Sequence, residues 1–201
     1  MGKHMKKDVK TDILETARKL FNEQGYNGVS MRDIAGALGI SVGNLTYYFK
    51  RKEDLLEAVA LRQLEGYQKK APAASLAELD GHFRRKLAFQ KGNAYYFRHY
   101  TQLAQISPKV YEMQRGIIRD QYEFYGETFQ GFKSHGRMME DTVPGQTRHL
   151  IQALVTVSLF GTAMGEPDGE RLPCFWSLIW PMLTETGRRE YREEVERRGG
   201  V

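Results

Sequence analysis

Apolar residues recur in two short helical patterns within the N-terminal quarter of the chain, and a single glycine separates them. Ile34 and Leu38 lie four positions apart, as residues on one helix face do, and Leu45 and Phe49 repeat the same step. Gly39 lies between the two patterns and favours a helix C-cap, because glycine readily adopts the left-handed conformation. The pattern therefore predicts two short helices joined by a tight turn.

Small and polar residues occupy the outer face of the second predicted helix. A DNA major groove about 12 Å wide admits a helix, and small leading side chains allow it to approach closely. Asn44 offers both a donor and an acceptor to base edges, and Tyr47 could reach the flanking phosphates. This arrangement is typical of a DNA-binding helix-turn-helix. The alternative is an ordinary helical hairpin with a solvated basic end, and the pattern alone leaves both open.

The positive charge of the chain is concentrated around this hairpin. The formal net charge is +5, and residues 1–70 hold 13 Lys and Arg against 9 Asp and Glu. Residues 71–201 hold 17 against 16. A basic patch of this kind is expected on a protein surface that binds a nucleic acid.

The run from Ile13 to Leu56 resembles the N-terminal domain of TetR/AcrR-type bacterial transcriptional regulators. It differs from many members at Thr46, where an aromatic residue is common; Tyr47 could take over part of that role. The resemblance implies an all-α fold with a DNA-binding domain at residues 8–52, and an effector-binding and dimerisation domain at residues 53–201. The residues that carry it are Ile13, Leu14, Ala17, Leu20, Phe21, Gly25, Tyr26, Ser30–Ala35, Leu38–Ser41, Gly43–Leu45, Tyr48, Phe49 and Lys52–Leu56.

The residues predicted to contact DNA lie on the hairpin and at its two ends. They are Ser30, Arg32, Ser41, Val42, Gly43, Asn44, Thr46, Tyr47, Tyr48 and Lys52.

Beyond the hairpin, the periodicity predicts helices and no strands. Pro108 and Pro173 are placed for the first turns of helices, and Pro181 is expected to kink or restart the last one. A break is predicted at residues 71–75, with others near residues 144–145 and 166–169. Together with the hairpin, the predicted helices cover residues 8–24, 52–70, 76–91, 93–106, 108–134, 146–164 and 173–197.

Aromatic residues are dense between residues 95 and 132. Bulky rings on facing helices can enclose a mostly apolar small-molecule pocket, and tyrosine hydroxyls can add a few oriented polar contacts. The alternative is a core built from aromatic side chains. The resemblance favours a pocket, and its candidate residues are Tyr96, Tyr100, Tyr111, Tyr122, Tyr125 and Phe129.

The last two predicted helices are apolar on almost every side, so each needs cover from more than one direction. They could lie at the centre of the monomer or form a dimer seam. The resemblance implies a homodimer through a four-helix bundle, which would place two recognition helices about 34–36 Å apart. The candidate seam residues are Leu150, Leu154, Val157, Phe160, Trp176 and Trp180.

No pattern in the sequence supports catalysis, a cofactor or a metal site. The histidines are scattered, and the single cysteine, Cys174, fits a reducing cytoplasm. No apolar run approaches the length of a membrane span. We therefore expect a cytoplasmic, non-enzymatic regulator whose partners are operator DNA, a second copy of the chain and an unidentified small effector. The alternative is a helical ligand-binding or enzymatic protein with a purely structural hairpin.

Overall fold

The computed structural model describes residues 9–65, 67–165 and 168–197, and most of them are helical. No strand occurs within these ranges, where one isolated bridge joins Met138 to Leu183. The all-α prediction is therefore confirmed. The α-helices are α1 (Val9–Gly28), α2 (Met31–Leu38), α3 (Val42–Tyr48), α4 (Lys52–Leu64), α5 (Leu76–Gly92), α6 (Ala94–Arg98), α7 (Tyr100–Ile106), α8 (Pro108–Ser134), α9 (Gln146–Phe160), α10 (Asp168–Ile179) and α11 (Glu185–Glu190).

Packing divides the chain into two compact units. The first unit combines the described parts of residues 1–67 with residues 93–114. The second combines residues 68–92 with the described parts of residues 115–201. The predicted division into residues 8–52 and 53–201 concerns roles rather than packing, and it stays a prediction; residue 8 lies outside the described residues.

The core of the first unit is formed by the apolar stripe of α1 packed on α2 and α4. Ile13, Ala17 and Phe21 are fully buried at helical spacing along α1. The predicted end of this helix at residue 24 agrees with the backbone, because Gly25 is non-helical and separates residues 9–24 from a short helical segment that runs to Gly28. Gly25 has φ 74° and ψ 155°, a conformation that is almost restricted to glycine, and the chain changes direction there before the short segment begins.

In the second unit, α5 packs against α10 and the C-terminal helices. The rings of Phe83 and Phe175 lie 4.8 Å apart, and the carboxylate of Asp80 accepts a 2.9 Å hydrogen bond from Trp176 Nε1. After α8, the chain passes close to Gly187. A methyl group added at Gly187 would lie 2.1 Å from the backbone oxygen of Arg137, so only glycine fits there.

Several predicted helix boundaries need correction. The helix predicted at residues 52–70 ends at Leu64, and the one predicted at 146–164 ends at Phe160. The helix predicted at 93–106 divides at His99, whose φ −111° and ψ 21° lie outside the helical range. Apolar spacing does not reveal such a break, because the buried positions continue on both sides of it.

The C-terminal prolines give one error and one agreement. Pro173 lies inside α10 rather than in its first turn, because the helix already begins at Asp168. The predicted break at Pro181 occurs as a 3₁₀ turn over Trp180–Met182, after which Leu183 is extended. The predicted turn at residues 166–169 includes two positions, 166 and 167, that lie outside the described residues.

None of the described helices combines the length and the apolar character that a bilayer crossing would require.

Candidate nucleic-acid interface

The first helix of the hairpin begins with a reciprocal cap. The amide N–H of Asp33 donates to Ser30 Oγ at 3.2 Å, and the amide N–H of Ser30 donates to Asp33 Oδ2 at 2.8 Å. This is a capping box, with aspartate in place of the usual glutamate. The hydroxyl and backbone of Ser30 hold the pKa of the Asp33 carboxyl below its ordinary value. Ser30 therefore fixes the start of α2, and its hydroxyl is already engaged.

The turn between α2 and α3 is closed by backbone hydrogen bonds. Gly39 adopts φ 67° and ψ 27°, the left-handed conformation expected at this position. Its N–H donates to the carbonyl of Gly36 at 3.1 Å, and the N–H of Ile40 donates to the carbonyl of Ala35 at 3.0 Å. These two bonds form a Schellman motif, which sets the direction in which the chain enters α3.

The second helix is held from one side only. The hydroxyl of Ser41 caps it by accepting a 3.1 Å hydrogen bond from the amide N–H of Asn44. Leu45 and Phe49 are buried, as their spacing predicted. These contacts fix the helix on the hairpin and leave its other face uncovered within the described residues.

The uncovered face of α3 carries the predicted recognition residues. Val42 is 39% exposed and Tyr47 is 84% exposed. Gly43 and Asn44 are also exposed, and the side-chain amide of Asn44 has no partner among the described residues. Thr46 is half-buried, and its hydroxyl donates to the carbonyl of Gly43 at 3.0 Å. The face can therefore offer an amide, a phenol and two small side chains to a groove.

The basic end of the hairpin contains paired as well as unpaired cations. The guanidinium of Arg51 is 2.8 Å from the carboxylate of Asp54, and Lys50 is exposed. The ammonium group of Lys52 lies 4.1 Å from the centre of the Tyr26 ring, and burial lowers the pKa of Lys52. The sequence did not indicate this packing of Lys52 on Tyr26, because the two residues are far apart along the chain.

The other predicted contacts flank this face. Arg32 is exposed on α2. Tyr48 is partly exposed, and its ring meets that of Tyr47 edge to face at 5.3 Å.

The candidate pocket residues of the first unit differ in how deeply they are buried. Tyr96 and Tyr100 are buried, with their ring centres 5.7 Å apart. Burial raises the pKa of Tyr96 to about 12, so its phenol stays protonated. Tyr111 is exposed.

The candidate pocket residues of the second unit lie on α8. Tyr125 and Phe129 are fully buried with their ring centres 6.0 Å apart, whereas Tyr122 is half-buried. The sequence did not point to His82 and Lys86 on α5, which lie beside Tyr125. The one signal in the sequence is that His82 and Lys86 lie four residues apart, which places them on the same face of a helix.

Half of the six candidate seam residues are buried within one chain. Leu150, Leu154 and Trp176 are buried there. Val157 and Phe160 on α9, together with Trp180, retain partial exposure. Among the described residues, no three His, Cys, Asp or Glu side chains form a group that could hold a metal ion.

Known proteins match this chain most clearly over the hairpin. The model for bacterial regulatory proteins of the tetR family matches residues 13–59. The probable HTH-type transcriptional regulator YttP of Bacillus subtilis strain 168 is 39% identical over 71 residues, which cover 35% of this chain and 34% of the relative. An HTH-type transcriptional regulator of Staphylococcus aureus strain USA300 is 45% identical over 64 residues, covering 30% of this chain and 35% of that protein. The chain thus spans about a third of the length of these curated relatives.

The likeness of fold extends over nearly the whole chain. The crystal structure of a TetR-family transcriptional regulator from Marinobacter aquaeolei VT8 has a TM-score of 0.74 and 17% sequence identity. The alignment covers 94% of this chain and 98% of that one. Because the identity is low, this likeness concerns the fold and not the ligand or the operator. Residues 13–59 therefore match the tetR family of bacterial regulatory proteins in sequence, and the helical fold of the chain is similar to that of a solved TetR-family regulator.

Proposed function

We propose that the chain is a DNA-binding transcriptional regulator that reads its operator with α3. The observation that carries this proposal is that one face of α3 is packed on the hairpin while the other face is exposed. Ser41, Leu45 and Phe49 hold the helix in place. The side chains of Asn44 and Tyr47 project from it, and the ring of Tyr47 contacts only that of the next residue among the described aromatic side chains. A helix that exposes an unpaired amide behind two small leading residues suits close approach to base edges.

The proposed complex is a homodimer on a near-palindromic operator. The partly exposed positions Ala153, Val157 and Phe160 of α9 form an apolar stripe at helical spacing, which would suit a second copy of the chain. Trp180 after α10 also keeps some exposure. Two-fold pairing would present two recognition helices about one DNA turn apart.

The proposed regulation is repression that a small apolar or aromatic effector relieves. Aromatic side chains are abundant in both units, and several of their hydroxyls are buried. An effector can act only if it binds the DNA-releasing conformation more tightly than the DNA-binding one. The candidate pocket residues stay proposals, with Tyr125 and Phe129 the most deeply buried of them.

Selection of bound duplexes from a random DNA library tests the proposal. The expected result is a near-palindromic motif whose half-sites are centred about 10 base pairs apart or a multiple of that spacing. With this motif, Asn44→Ala should lose about 1–3 kcal/mol of specific binding and relax base preference at one position. Gln130→Ala, which removes an exposed amide from α8, is the matched control and should bind normally.

Salt dependence separates base contacts from phosphate contacts. Lys52→Met should weaken binding to every sequence and lower the slope of log affinity against log salt by about 1. Asn44→Ala should leave that slope unchanged. If no motif is enriched and the protein shows no salt-dependent DNA binding, the hairpin is structural and the chain is a helical ligand-binding or enzymatic protein instead.

A further inference from the structure

A cluster of polar side chains lies among aromatic rings between α5 and α8 in the second unit. We call His82, Lys86, Gln121, Phe124 and Tyr125 the Lys86 cluster. The ammonium group of Lys86 donates to Gln121 Oε1 at 2.5 Å and lies 5.6 Å from the centre of the Tyr125 ring. The His82 ring stacks on Phe124 with 4.1 Å between the ring centres.

The positive charge of Lys86 has no counter-ion among the described residues. Its contacts are a neutral amide and an aromatic ring, although the side chain is only partly exposed. The charged groups that act on the neighbouring His82 are all cationic: Lys86 itself, Arg85 and Lys70. A partly buried cation without a carboxylate is costly, so some compensation is expected when the protein performs its function.

Two carboxylates of this region already have partners. Asp80 accepts from Arg84 Nε at 2.6 Å as well as from Trp176. Glu123 forms a 2.5 Å ion pair with Lys69. Neither acid is therefore free to neutralise Lys86, and burial lowers the pKa of that lysine to about 7.

Two further polar atoms in the Lys86 cluster are buried without a hydrogen-bond partner among the described residues. They are His82 Nε2 and the hydroxyl of Tyr125. Native proteins pair almost all such atoms, so unpaired ones call for a specific explanation. Burial raises the pKa of Tyr125, which therefore remains a donor, and the pKa of His82 is lowered to about 3, so its ring is neutral at physiological pH. A neutral imidazole can also donate through Nε2.

Lys86, His82 and Tyr125 can all donate hydrogen bonds. No negatively charged acceptor lies beside them among the described residues. The surrounding surface is aromatic, since the Tyr125 ring lies 6.1 Å from Phe83 and 6.0 Å from Phe129. We propose that the Lys86 cluster binds the carboxylate of a small organic acid, whose apolar or aromatic body lies against these rings. A carboxylate would give Lys86 its counter-ion and would accept a hydrogen bond from Tyr125.

This inference rests on the proposed function in one respect: the acid would be the effector that releases DNA. The binding site itself follows from the donors and rings of the second unit. A ligand that pairs Lys86 only in one conformation of the protein would shift the population toward that conformation.

Calorimetric titration of the full chain with matched probes tests the class of ligand. The probes are octanoate against octanamide and phenylacetate against phenylacetamide, at pH 6.5, where Lys86 is mainly protonated. At least one acid should bind ten-fold or more tightly than its amide. Lys86→Met should abolish that preference and Lys86→Arg should retain most of it, while Lys91→Met, which alters an exposed lysine of α5, should leave it unchanged.

A second measurement does not depend on the choice of probe. Replacing Lys86 by Met and Gln121 by Leu removes both partners of one hydrogen bond and fills the same space with apolar groups. If Lys86 is kept for a ligand, this double variant should melt at the same temperature as the parent or higher. A melting temperature several degrees lower would show that Lys86 serves the fold and would overturn the proposal.

The remaining outcomes are equally decisive. Equal binding of every acid and its amide, or an acid preference that survives Lys86→Met, means that the cluster is not an anion site. The DNA selection described above distinguishes the two proposals. If the acids bind but the protein has no affinity for DNA, the anion site is supported and the proposed regulatory function is refuted. If the protein binds DNA selectively but shows no preference for acids, the regulatory function is supported and the anion site is refuted.

Discussion

The turn at Gly39 gives the sharpest stability prediction, because its cost arises from one cause. Gly39 has φ 67°, and an added Cβ would meet no atom within 4 Å. Gly39→Ala therefore introduces no steric clash with neighbours and only forces an L-residue into the left-handed region. That conformation costs about 1–2 kcal/mol for alanine. The hairpin should lose about that amount of stability.

Two companion variants isolate the cause. Gly39→Asn should recover much of the loss, since asparagine tolerates the left-handed region better than alanine. Gly36→Ala, at an exposed position inside α2 with no atom near its added Cβ, should stabilise by about 0.5–1 kcal/mol because alanine favours the helix. The two alanine substitutions thus lie three residues apart and have opposite expected signs.

Thermal and urea denaturation of the three variants and the parent provide the assay. For a chain of this size, 1 kcal/mol corresponds to a shift of about 2–4 °C in the melting temperature. A Gly39→Ala protein as stable as the parent would refute the reasoning, because it would mean that the turn does not require a left-handed residue. Equal losses for alanine and asparagine would point to a missed contact instead of conformational strain.

Three further variants test other parts of the molecule. Gly187→Ala should cost about 1–3 kcal/mol in urea denaturation, because its Cβ would lie 2.1 Å from the backbone oxygen of Arg137, which must move. Tyr125→Phe should leave the melting temperature unchanged or raise it, since the hydroxyl has no partner among the described residues; a drop of several degrees would reveal a partner. The pKa of Asp33 is lowered by its hydrogen bonds with Ser30, so its contribution to stability is present above the ordinary value of 3.8 and is lost as the pH falls through the folded-state pKa. The stability difference between the parent and Asp33→Asn should accordingly shrink as the pH falls below the ordinary carboxyl pKa of 3.8, and a constant difference would contradict this account.

Local signals in the sequence were sufficient for the hairpin. Ser30, Gly39 and Ser41 act through backbone groups only three to five residues away, so their roles could be predicted from residue type and spacing. The buried positions Leu45 and Phe49 followed from helical periodicity. In such a short segment the local preferences and the final packing agree.

The errors arose where packing between distant segments decides the conformation. The break at His99 interrupts an apolar pattern that continues on both sides. The short helical segment after Gly25 was also not predicted. Proline at position 173 was expected in the first turn, but α10 begins five residues earlier. Spacing alone cannot show whether a proline opens a helix or lies within it.

The candidate sites show the same limit. Lys52 was predicted from its position to contact DNA, whereas its packing on Tyr26 depends on how α1 and α4 meet. The Lys86 cluster escaped prediction because its two halves lie on α5 and α8, about 35 residues apart in the case of Lys86 and Gln121.

The one-sided attachment of α3 has a consequence for how such a protein can diverge. Stability depends on Ser41, Leu45 and Phe49, whereas Asn44 and Tyr47 carry little of the fold. If α3 reads DNA as proposed, substitutions at the exposed positions can therefore change which DNA is preferred without a matching loss of folding free energy. After gene duplication, two copies could acquire separate targets in a few single-residue steps, each of which leaves a folded protein.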